Sequence, residues 1–245
     1  MLTSKIKYSV VIPNRFEDVI QPLLESIREF EPTDTLVIIV ADNHDRSYGY
    51  DIVETSEPFI YGKSVNLGIN YIPTNDVILL NDDVRLVQPE TFKTLQKIAY
   101  SDPMIGILSP LVDGGCGNIY MKASNGHLWS KLDNTIYYPN GLRGPDRLTF
   151  ACVYIKRSLL IDIGLFDENF VDYGYDDADM CIRTIKAGWK LAVTSELTVR
   201  HGTGGDHFVR GKNWSSSFNR IRCKGSAPNL KYLKSKHSEL FPAVT

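Results

Sequence analysis

A short apolar run at 78–80 leads directly into Asn81 and the two adjacent acids Asp82 and Asp83. Such a run predicts a buried strand that carries two adjacent carboxylates at its carboxyl end. Ligands of open α/β sheets bind at that edge. Carboxylate oxygens held there suit a hard divalent cation, which can in turn bind phosphate oxygens. The alternative is an ordinary turn after a strand, because Asn and Asp both favour turns.

Other polar residues are predicted to end strands in the same way. Asp42 and Asn43 follow the apolar run 36–41, and His201 follows a shorter one at 197–199. Asp42 is therefore expected at the same carboxyl edge as the first acidic pair, where ligands of such sheets bind. Taken alone, Asp42 is explained as a turn residue at a strand end, and a lone His201 is more often a structural or exposed histidine than a metal ligand.

A third acidic group, Asp176, Asp177 and Asp179, opens a predicted helix at 176–187. A carboxylate beside a bound substrate can accept the proton of an attacking hydroxyl group. The alternative is structural, because acids at a helix N-terminus each contribute roughly 0.3–1 kcal/mol through the helix dipole. Asp179 can also form an ion pair with Arg183, one turn further along the helix.

Positioning these residues requires a sheet, and the first 100 residues alternate between predicted strands and helices. Continuously apolar strands are typical of parallel sheets that helices cover on both faces. The alternation predicts right-handed βαβ crossovers, and so an α/β fold with a Rossmann-like, mainly parallel central sheet. The predicted strands are 8–13, 36–41 and 77–80, and the predicted helices are 18–30, 62–72 and 91–100.

The pattern is less regular after residue 100. The stretch 113–147 is rich in Gly, Asn, Pro and Tyr, which predicts hairpins and loops. The remaining predicted strands are 104–110, 148–156, 190–194 and 197–199, and the remaining predicted helices are 158–163, 176–187, 213–223 and 229–240.

The overall composition excludes several classes of protein. The net charge of −2 gives no basic field for nucleic acid, and no apolar run approaches the roughly 20 residues of a membrane span. The first residues lack the apolar core of a signal peptide, so we expect a cytoplasmic protein. The four cysteines include no CxxC pair and are expected to be free thiols.

Seven segments between residues 8 and 205 resemble, in order, the motifs of inverting glycosyltransferases of family 2, which have the GT-A fold. The segment 80–84 (LNDDV) resembles the DxD motif, and 175–183 (YDDADMCIR) resembles the acidic "xEDxDLxxR" motif. A rhamnosyltransferase-like subgroup is one option within this resemblance. The other five segments are 9–13, 38–43, 62–69, 164–170 and 199–202.

The resemblance implies three groups of site residues and a divalent cation, Mn²⁺ or Mg²⁺. The implied catalytic residues are Asp177, as the general base, and Asp176. The implied metal ligands are Asp83 and His201. The implied nucleotide-binding residues are Pro13, Asn14, Arg15, Asp42, Asn43, Gly62, Lys63, Asn66 and Asp82.

Two residues depart from the family's pattern. Asn81 occupies the first position of the DxD motif, so a cation would rest mainly on Asp83, with His201 as a further ligand. An amide oxygen is a poorer ligand for a hard cation than a carboxylate. Asp176 stands where the family usually has Glu, which keeps the charge on a shorter side chain.

The chemistry expected from the resemblance is sugar transfer from a nucleotide-diphosphate sugar, with UDP or dTDP preferred. Negative charge grows on the diphosphate as it leaves, and a divalent cation offsets that charge. The acceptor is expected to be a hydroxyl of a glycan or glycoconjugate. We expect one domain over 1–245, with a nucleotide-sugar-binding half at 1–110, a smaller acceptor and catalytic half at 111–205 and a helical or lid segment at 206–245.

Three other functions remain open at this stage. A non-catalytic nucleotide- or sugar-binding domain is favoured by Asn81, whereas the presence of both Asp83 and Asp177 argues against it. A nucleotidyltransferase would require a Gly-rich phosphate loop after the first strand, but residues 13–16 contain no glycine. A retaining glycosyltransferase is the third, and the stereochemistry of the product would distinguish it from an inverting one.

Overall fold

The computed structural model describes residues 7–15, 17, 19–42, 48–55, 59–72, 74–113, 129–131, 136–139, 148–202 and 226–241. Within these ranges, ten strands form one mixed sheet, and helices pack on it. The strands are β1 Tyr8–Asn14, β2 Thr35–Asp42, β3 Asp51–Thr55, β4 Val77–Leu80, β5 Val84–Leu86, β6 Ile105–Asp113, β7 Trp129–Lys131, β8 Ile136–Pro139, β9 Cys152–Ile155 and β10 Lys190–His201. Their order is β3-β2-β1-β4-β9-β6-β10-β8-β7, and β5 pairs with β10.

Six helices have bounds close to the predicted ones. They are α1 Gln21–Phe30, α2 Tyr61–Tyr71, α3 Thr91–Ala99, α4 Arg157–Ile163, α5 Asp176–Lys186 and α6 Ser226–Lys236, which a short 3₁₀ turn at Ser238–Leu240 follows. Helix α1 begins three residues later than predicted and has a proline in its first turn, where its missing N–H costs nothing. None of the helices in the described ranges is long and apolar enough to cross a membrane.

The first half of the sheet is parallel, as predicted from the apolar strands. Strand β1 lies between β2 and β4 and is parallel to both, and β3 is parallel to β2. Side chains of β1 alternate between two cores: Val10 and Ile12 pack with α1 and α3, whereas Val11 packs with α2 and α4. The α/β prediction, with helices on both faces, is confirmed.

The second half of the sheet is mixed, which the strand pattern did not indicate. Strand β9 runs antiparallel between β4 and β6, and β10 is parallel to β6 but antiparallel to β5 and β8. The two short strands predicted at 190–194 and 197–199 are one strand, β10, with an irregular register between Thr194 and Thr198. The short strands β3 and β5 were not predicted, because three to five residues of mixed polarity carry too weak a pattern.

Some predictions fall largely outside the described ranges. The antiparallel pair β7–β8 is the described portion of the predicted hairpins at 113–147. The predicted helix at 213–223 lies outside the described residues, and the one at 229–240 corresponds to α6 and the 3₁₀ turn. Of the four cysteines, Cys152 and Cys181 are described, and both are buried free thiols.

Candidate functional site

The carboxyl ends of β1, β2 and β4 bring several predicted residues together. Asn14, the last residue of β1, donates a hydrogen bond of 2.8 Å to Asp82 Oδ2, and the Arg15 backbone N–H also donates to the Asp82 carboxylate. Arg15 Nε lies 3.8 Å from Oδ2 of Asp42, the buried last residue of β2. Four residues of the predicted nucleotide site therefore share one edge of the sheet.

The predicted metal ligands Asp83 and His201 also meet at this edge. Strands β5 and β10 pair so that His201 lies opposite Val84, directly after Asp83. His201 Nε2 lies 3.1 Å from Asp83 Oδ1, and the Gly202 N–H donates to the backbone oxygen of Asp83. The short strand β5 is thus what carries the end of β10 to the acidic pair.

Burial and charge set the protonation of this cluster. Burial, together with the neighbouring Asp83 carboxylate, raises the pKa of Asp82 despite its hydrogen bond from Asn14. Burial alone would also raise the pKa of Asp83, but the charge and hydrogen bond of His201 bring it below its ordinary value. Burial disfavours the imidazolium of His201, yet the Asp83 carboxylate raises the pKa of His201 overall.

These donors fit a hard divalent cation. Asp82 and Asp83 are adjacent carboxylates, and the other imidazole nitrogen of His201, Nδ1, is buried with no hydrogen-bond partner. Carboxylate oxygens are the donors that Mn²⁺ and Mg²⁺ prefer, whereas an imidazole nitrogen is a softer ligand. Within the described ranges, however, no three His, Cys, Asp or Glu residues are grouped closely enough to complete a metal site by themselves.

Asn81, at the first position of the segment that resembles a DxD motif, has its amide oriented by Tyr61. The Tyr61 hydroxyl donates to Asn81 Oδ1 at 3.1 Å, and Asn81 Nδ2 lies 3.3 Å from His201 Nε2. The amide oxygen of Asn81 is therefore engaged by Tyr61, and its nitrogen faces the histidine.

Tyr61 also connects this cluster to the acidic group that opens helix α5. It is buried at the start of α2, and its ring packs edge-on against Tyr173 at 5.3 Å between centroids. Burial raises the pKa of Tyr61 far above its ordinary value, and the nearby charges of Asp176, Asp177 and Asp82 act in the same direction. Tyr61 thus contacts both the strand end at Asn81 and the segment that precedes α5. No sequence pattern predicted a role for Tyr61, which directly precedes the segment 62–69.

The predicted catalytic residues open helix α5. Asp176 is buried, and its Oδ1 accepts a 2.9 Å hydrogen bond from the Gly174 N–H. Asp177 is half-buried, and its Oδ1 accepts from the Ala178 N–H at 2.7 Å. Asp179 faces away into a buried ion pair with Arg183, as the structural alternative predicted for that residue.

A contact between the two halves of the site was missed by sequence reasoning. Arg15 Nη1 donates to Asp172 Oδ1 at 2.6 Å, while the other carboxylate oxygen of Asp172 is buried without a partner. The Asp172 backbone also accepts a hydrogen bond from the Tyr61 N–H. Asp172 has a positive φ of 58°, which no residue pattern indicated.

The remaining predicted residues occupy varied positions. Pro13 is buried in β1, Lys63 is half-buried on α2, and Asn43 lies outside the described residues. A Cβ on Gly62 would lie 3.1 Å from the backbone oxygen of Asp167, so glycine allows α2 to approach that segment closely.

Asn66, on the same helix, directs its amide at the segment after α4. Its Nδ2 donates to the backbone oxygen of Phe166 and to Glu168 Oε1, both at 2.9 Å. Its Oδ1 accepts from the Phe166 N–H, also at 2.9 Å. Asn66 therefore fixes this segment against α2.

Comparison with known proteins places the fold among glycosyltransferase structures. The chain superimposes on GalNAc-T7 bound to UDP, GalNAc and Mn²⁺ with a TM-score of 0.59 and 12% identity, over 95% of this chain and 54% of that one. It superimposes on the mannosyltransferase PcManGT of Pyrobaculum calidifontis, bound to GDP-Man and Mn²⁺, with a TM-score of 0.58 and 15% identity, over 96% of this chain and 70% of that one. The fold is therefore GT-A.

Two sequence relatives match this chain over only part of their own length. An N-acetylglucosaminyl-diphospho-decaprenol L-rhamnosyltransferase of Mycobacterium tuberculosis is 29% identical over 143 residues, 51% of this chain and 46% of that protein. The uncharacterized protein y4gI of Sinorhizobium fredii is 25% identical over 222 residues, 79% of this chain and 24% of that protein. The chain thus spans less than half the length of these relatives, and no protein-family model matches it.

Proposed function

We propose that this chain, which has the GT-A fold, is an inverting, metal-dependent glycosyltransferase. The observation that carries the proposal is the position of Tyr61. Its hydroxyl donates to Asn81, beside one acidic pair, and its ring packs on Tyr173, just before the other pair. Asp82 and Asp83 lie at the end of β4, and Asp176 and Asp177 open helix α5. The pair at the end of β4 suits a metal-bound diphosphate, and the pair that opens α5 suits an acceptor hydroxyl that loses a proton as it attacks.

The nucleotide of the donor sugar occupies the ends of β1 and β2 in this proposal. The buried carboxylate of Asp42 can accept hydrogen bonds from a base or ribose, and Arg15 beside it supplies a positive charge. UDP and dTDP are the preferred nucleotides, from the resemblance of the motifs. Asn14 holds Asp82 and so fixes the strand end on which the diphosphate lies.

Asp83 and His201 hold the cation, Mn²⁺ or Mg²⁺, with Asp82 adding negative charge beside them. When bound, the cation offsets the charge that develops on the departing diphosphate. GalNAc-T7 and PcManGT were both crystallised with Mn²⁺, which supports this assignment. Tyr61 keeps the Asn81 amide turned toward itself, which leaves the ligand role to the carboxylates and the imidazole.

Asp177 acts as the general base and takes the proton of the acceptor hydroxyl. Asp176 shapes the turn before it, because its Oδ1 accepts a hydrogen bond from the Gly174 N–H. A single base on the side opposite the leaving group gives a product of inverted configuration, by the logic that governs inverting glycosidases.

The acceptor is a hydroxyl of a glycan or glycoconjugate in this proposal. The mycobacterial relative is named for transfer of L-rhamnose to a diphospho-decaprenol-linked sugar, which favours an acceptor of that chemical class. Residues 1–110 supply the nucleotide-sugar half of the site, residues 111–205 supply the acceptor and catalytic half, and residues 206–245 add the C-terminal segment. Asn66 and Gly62 contribute indirectly, by holding the segment after α4 against helix α2.

The experiment that tests the proposal separates donor binding from catalysis. Asp177→Asn is compared with the wild type and with Asp51→Asn, an exposed acid on β3. Release of nucleoside diphosphate from a panel of UDP- and dTDP-sugars is measured with Mn²⁺. We expect Asp177→Asn to lose at least 100-fold in rate, since a general base contributes typically 10²–10⁴-fold.

Donor binding by Asp177→Asn, measured through thermal stabilisation by the nucleotide, is expected to equal that of the wild type. A rate within threefold of the wild type would rule out Asp177 as the base. A product of retained anomeric configuration, observed by NMR, would contradict the inverting mechanism.

A further inference from the structure

We propose that Asn229, on the C-terminal helix α6, is a positioning residue for the acceptor side of the site. It holds the strained turn that leads into Asp176 and Asp177. This inference rests on the proposed function, in which the turn positions the general base Asp177. Asn229 lies more than 50 residues beyond the turn in the chain, and only the fold brings the two together.

The Asn229 side chain is buried and makes three hydrogen bonds to the backbone of the turn. Its Oδ1 accepts from the Val171 N–H at 2.9 Å, and its Nδ2 donates to the Val171 oxygen at 2.8 Å and to the Gly174 oxygen at 2.9 Å. Both N–H groups of the amide are thereby used. The side chain is 1% exposed, so no water replaces these contacts without displacing the helix.

The turn needs such support because its backbone is strained. Asp172, Gly174 and Tyr175 have φ values of 58°, 113° and 70°, so two residues with side chains adopt left-handed conformations. Such conformations persist only where surrounding contacts impose them. Gly174 is held from both sides, since its N–H donates to Asp176 and its oxygen accepts from Asn229.

Helix α6 is itself firmly docked, which makes it a rigid support. Leu233 packs with Phe170, Ala178 and Ile182 in a separate apolar cluster. Lys236 forms ion pairs with Asp167 and Asp179, which flank the turn on either side in the sequence. The Tyr232 hydroxyl donates to Asp167 at 3.0 Å, so the helix contacts this region independently of Asn229.

Two variants of the same helix serve as controls for Asn229→Ala. Lys231→Ala changes an exposed side chain, and Tyr232→Phe removes a docking contact that does not touch the turn. Hydrogen exchange measured by mass spectrometry on peptides covering 171–175 needs no substrate. We expect exchange there to be at least tenfold faster in Asn229→Ala than in either control, at a temperature where all variants are folded.

The kinetic comparison uses the nucleotide sugar that serves as donor for the wild type. We expect Asn229→Ala to lower kcat at least tenfold while the KM for the donor changes less than threefold. A purely structural residue would lower the melting temperature and leave kcat of the folded fraction unchanged.

The outcomes separate this inference from the proposed function. If Asp177→Asn is inactive but Asn229→Ala matches Tyr232→Phe in kcat, the positioning role is wrong and the proposed base stands. If Asp177→Asn stays active, the proposed base is wrong. If exchange at 171–175 is the same in Asn229→Ala and Lys231→Ala, the positioning role is overturned whatever the activity.

Discussion

Replacing Asn66 by Ala should destabilise the fold while sparing the donor site. The wild-type amide makes three hydrogen bonds of 2.9 Å, two of them to the backbone N–H and oxygen of Phe166 and one to Glu168. Asn66 and Phe166 are both buried, so the variant leaves two buried backbone groups without partners. Each such group costs about 1–3 kcal/mol. The bond to the exposed Glu168 adds little, and the expected loss is about 3 kcal/mol in total.

The assay is chemical and thermal unfolding of Asn66→Ala against Asn70→Ala, a change at an exposed position of the same helix. For a protein of this length, a loss of 3 kcal/mol lowers the melting temperature by roughly 6–12 °C. The stabilisation added by nucleotide and Mn²⁺ is expected to remain that of the wild type. The reasoning would be refuted if Asn66→Ala unfolded like Asn70→Ala but no longer responded to nucleotide, because Asn66 would then contact the ligand directly.

Three further predictions concern packing, protonation and the link between the acidic groups. Gly68→Ala should destabilise by about 1–3 kcal/mol in urea unfolding, because its Cβ would lie 2.5 Å from a methyl group of Val11. Burial raises the pKa of Glu31, whose carboxylate accepts the first N–H groups of α3, to about 7. The folded state therefore keeps a proton on Glu31 that the unfolded state releases from about pH 4.5, so the wild type loses stability as the pH rises through 7. Glu31→Gln lacks this titration, and its melting temperature should rise relative to that of the wild type between pH 5 and pH 8. Tyr61→Phe should weaken Mn²⁺-dependent nucleotide binding severalfold, as titration calorimetry would show, because the Asn81 amide that faces His201 Nε2 would lose its fixed orientation beside that proposed metal ligand.

Each of these predictions has a result that would contradict it. Urea unfolding of Gly68→Ala at the wild-type midpoint would mean that α2 does not pack as closely on β1 as described. A constant difference between Glu31→Gln and the wild type across pH would exclude Glu31 as the titrating group. Unchanged metal-dependent affinity in Tyr61→Phe would show that the Asn81 amide does not depend on the phenol.

The residues at strand ends were predictable because their position follows from local patterns. Asp42 and Asp83 each follow a continuous apolar run, and such runs form buried parallel strands whose carboxyl ends share one edge. The approach of His201 to Asp83 was implied by the resemblance but not by the local pattern. It depends on β5, a three-residue strand with an exposed central arginine, which has too little periodicity to be recognised.

Contacts between distant segments could not be predicted from the sequence. The Tyr61–Asn81 hydrogen bond, the Arg15–Asp172 ion pair and the Asn229 contacts join residues that are 20 to 157 positions apart. The first two contacts join side chains, and Asn229 contacts backbone groups. In each case the tertiary fold, and not the local sequence, brings the two partners together. The mixed second half of the sheet was missed for a related reason, because an apolar strand has the same pattern in either direction.

Metal-dependent nucleotide binding at the β4 edge is the central claim, and thermal melts test it most directly. The protein is melted with UDP, dTDP, GDP or CDP, each with Mn²⁺, with Mg²⁺ or with EDTA, beside Asp83→Ala and the exposed neighbour variant Arg85→Ala. A nucleotide at 100 times its dissociation constant stabilises by about 2.7 kcal/mol, a shift of roughly 5–10 °C. We expect UDP or dTDP to give this shift only with metal, in the wild type and Arg85→Ala but not in Asp83→Ala. No shift with any nucleotide, or an equal shift in EDTA and in Asp83→Ala, would contradict the assignment of the donor site.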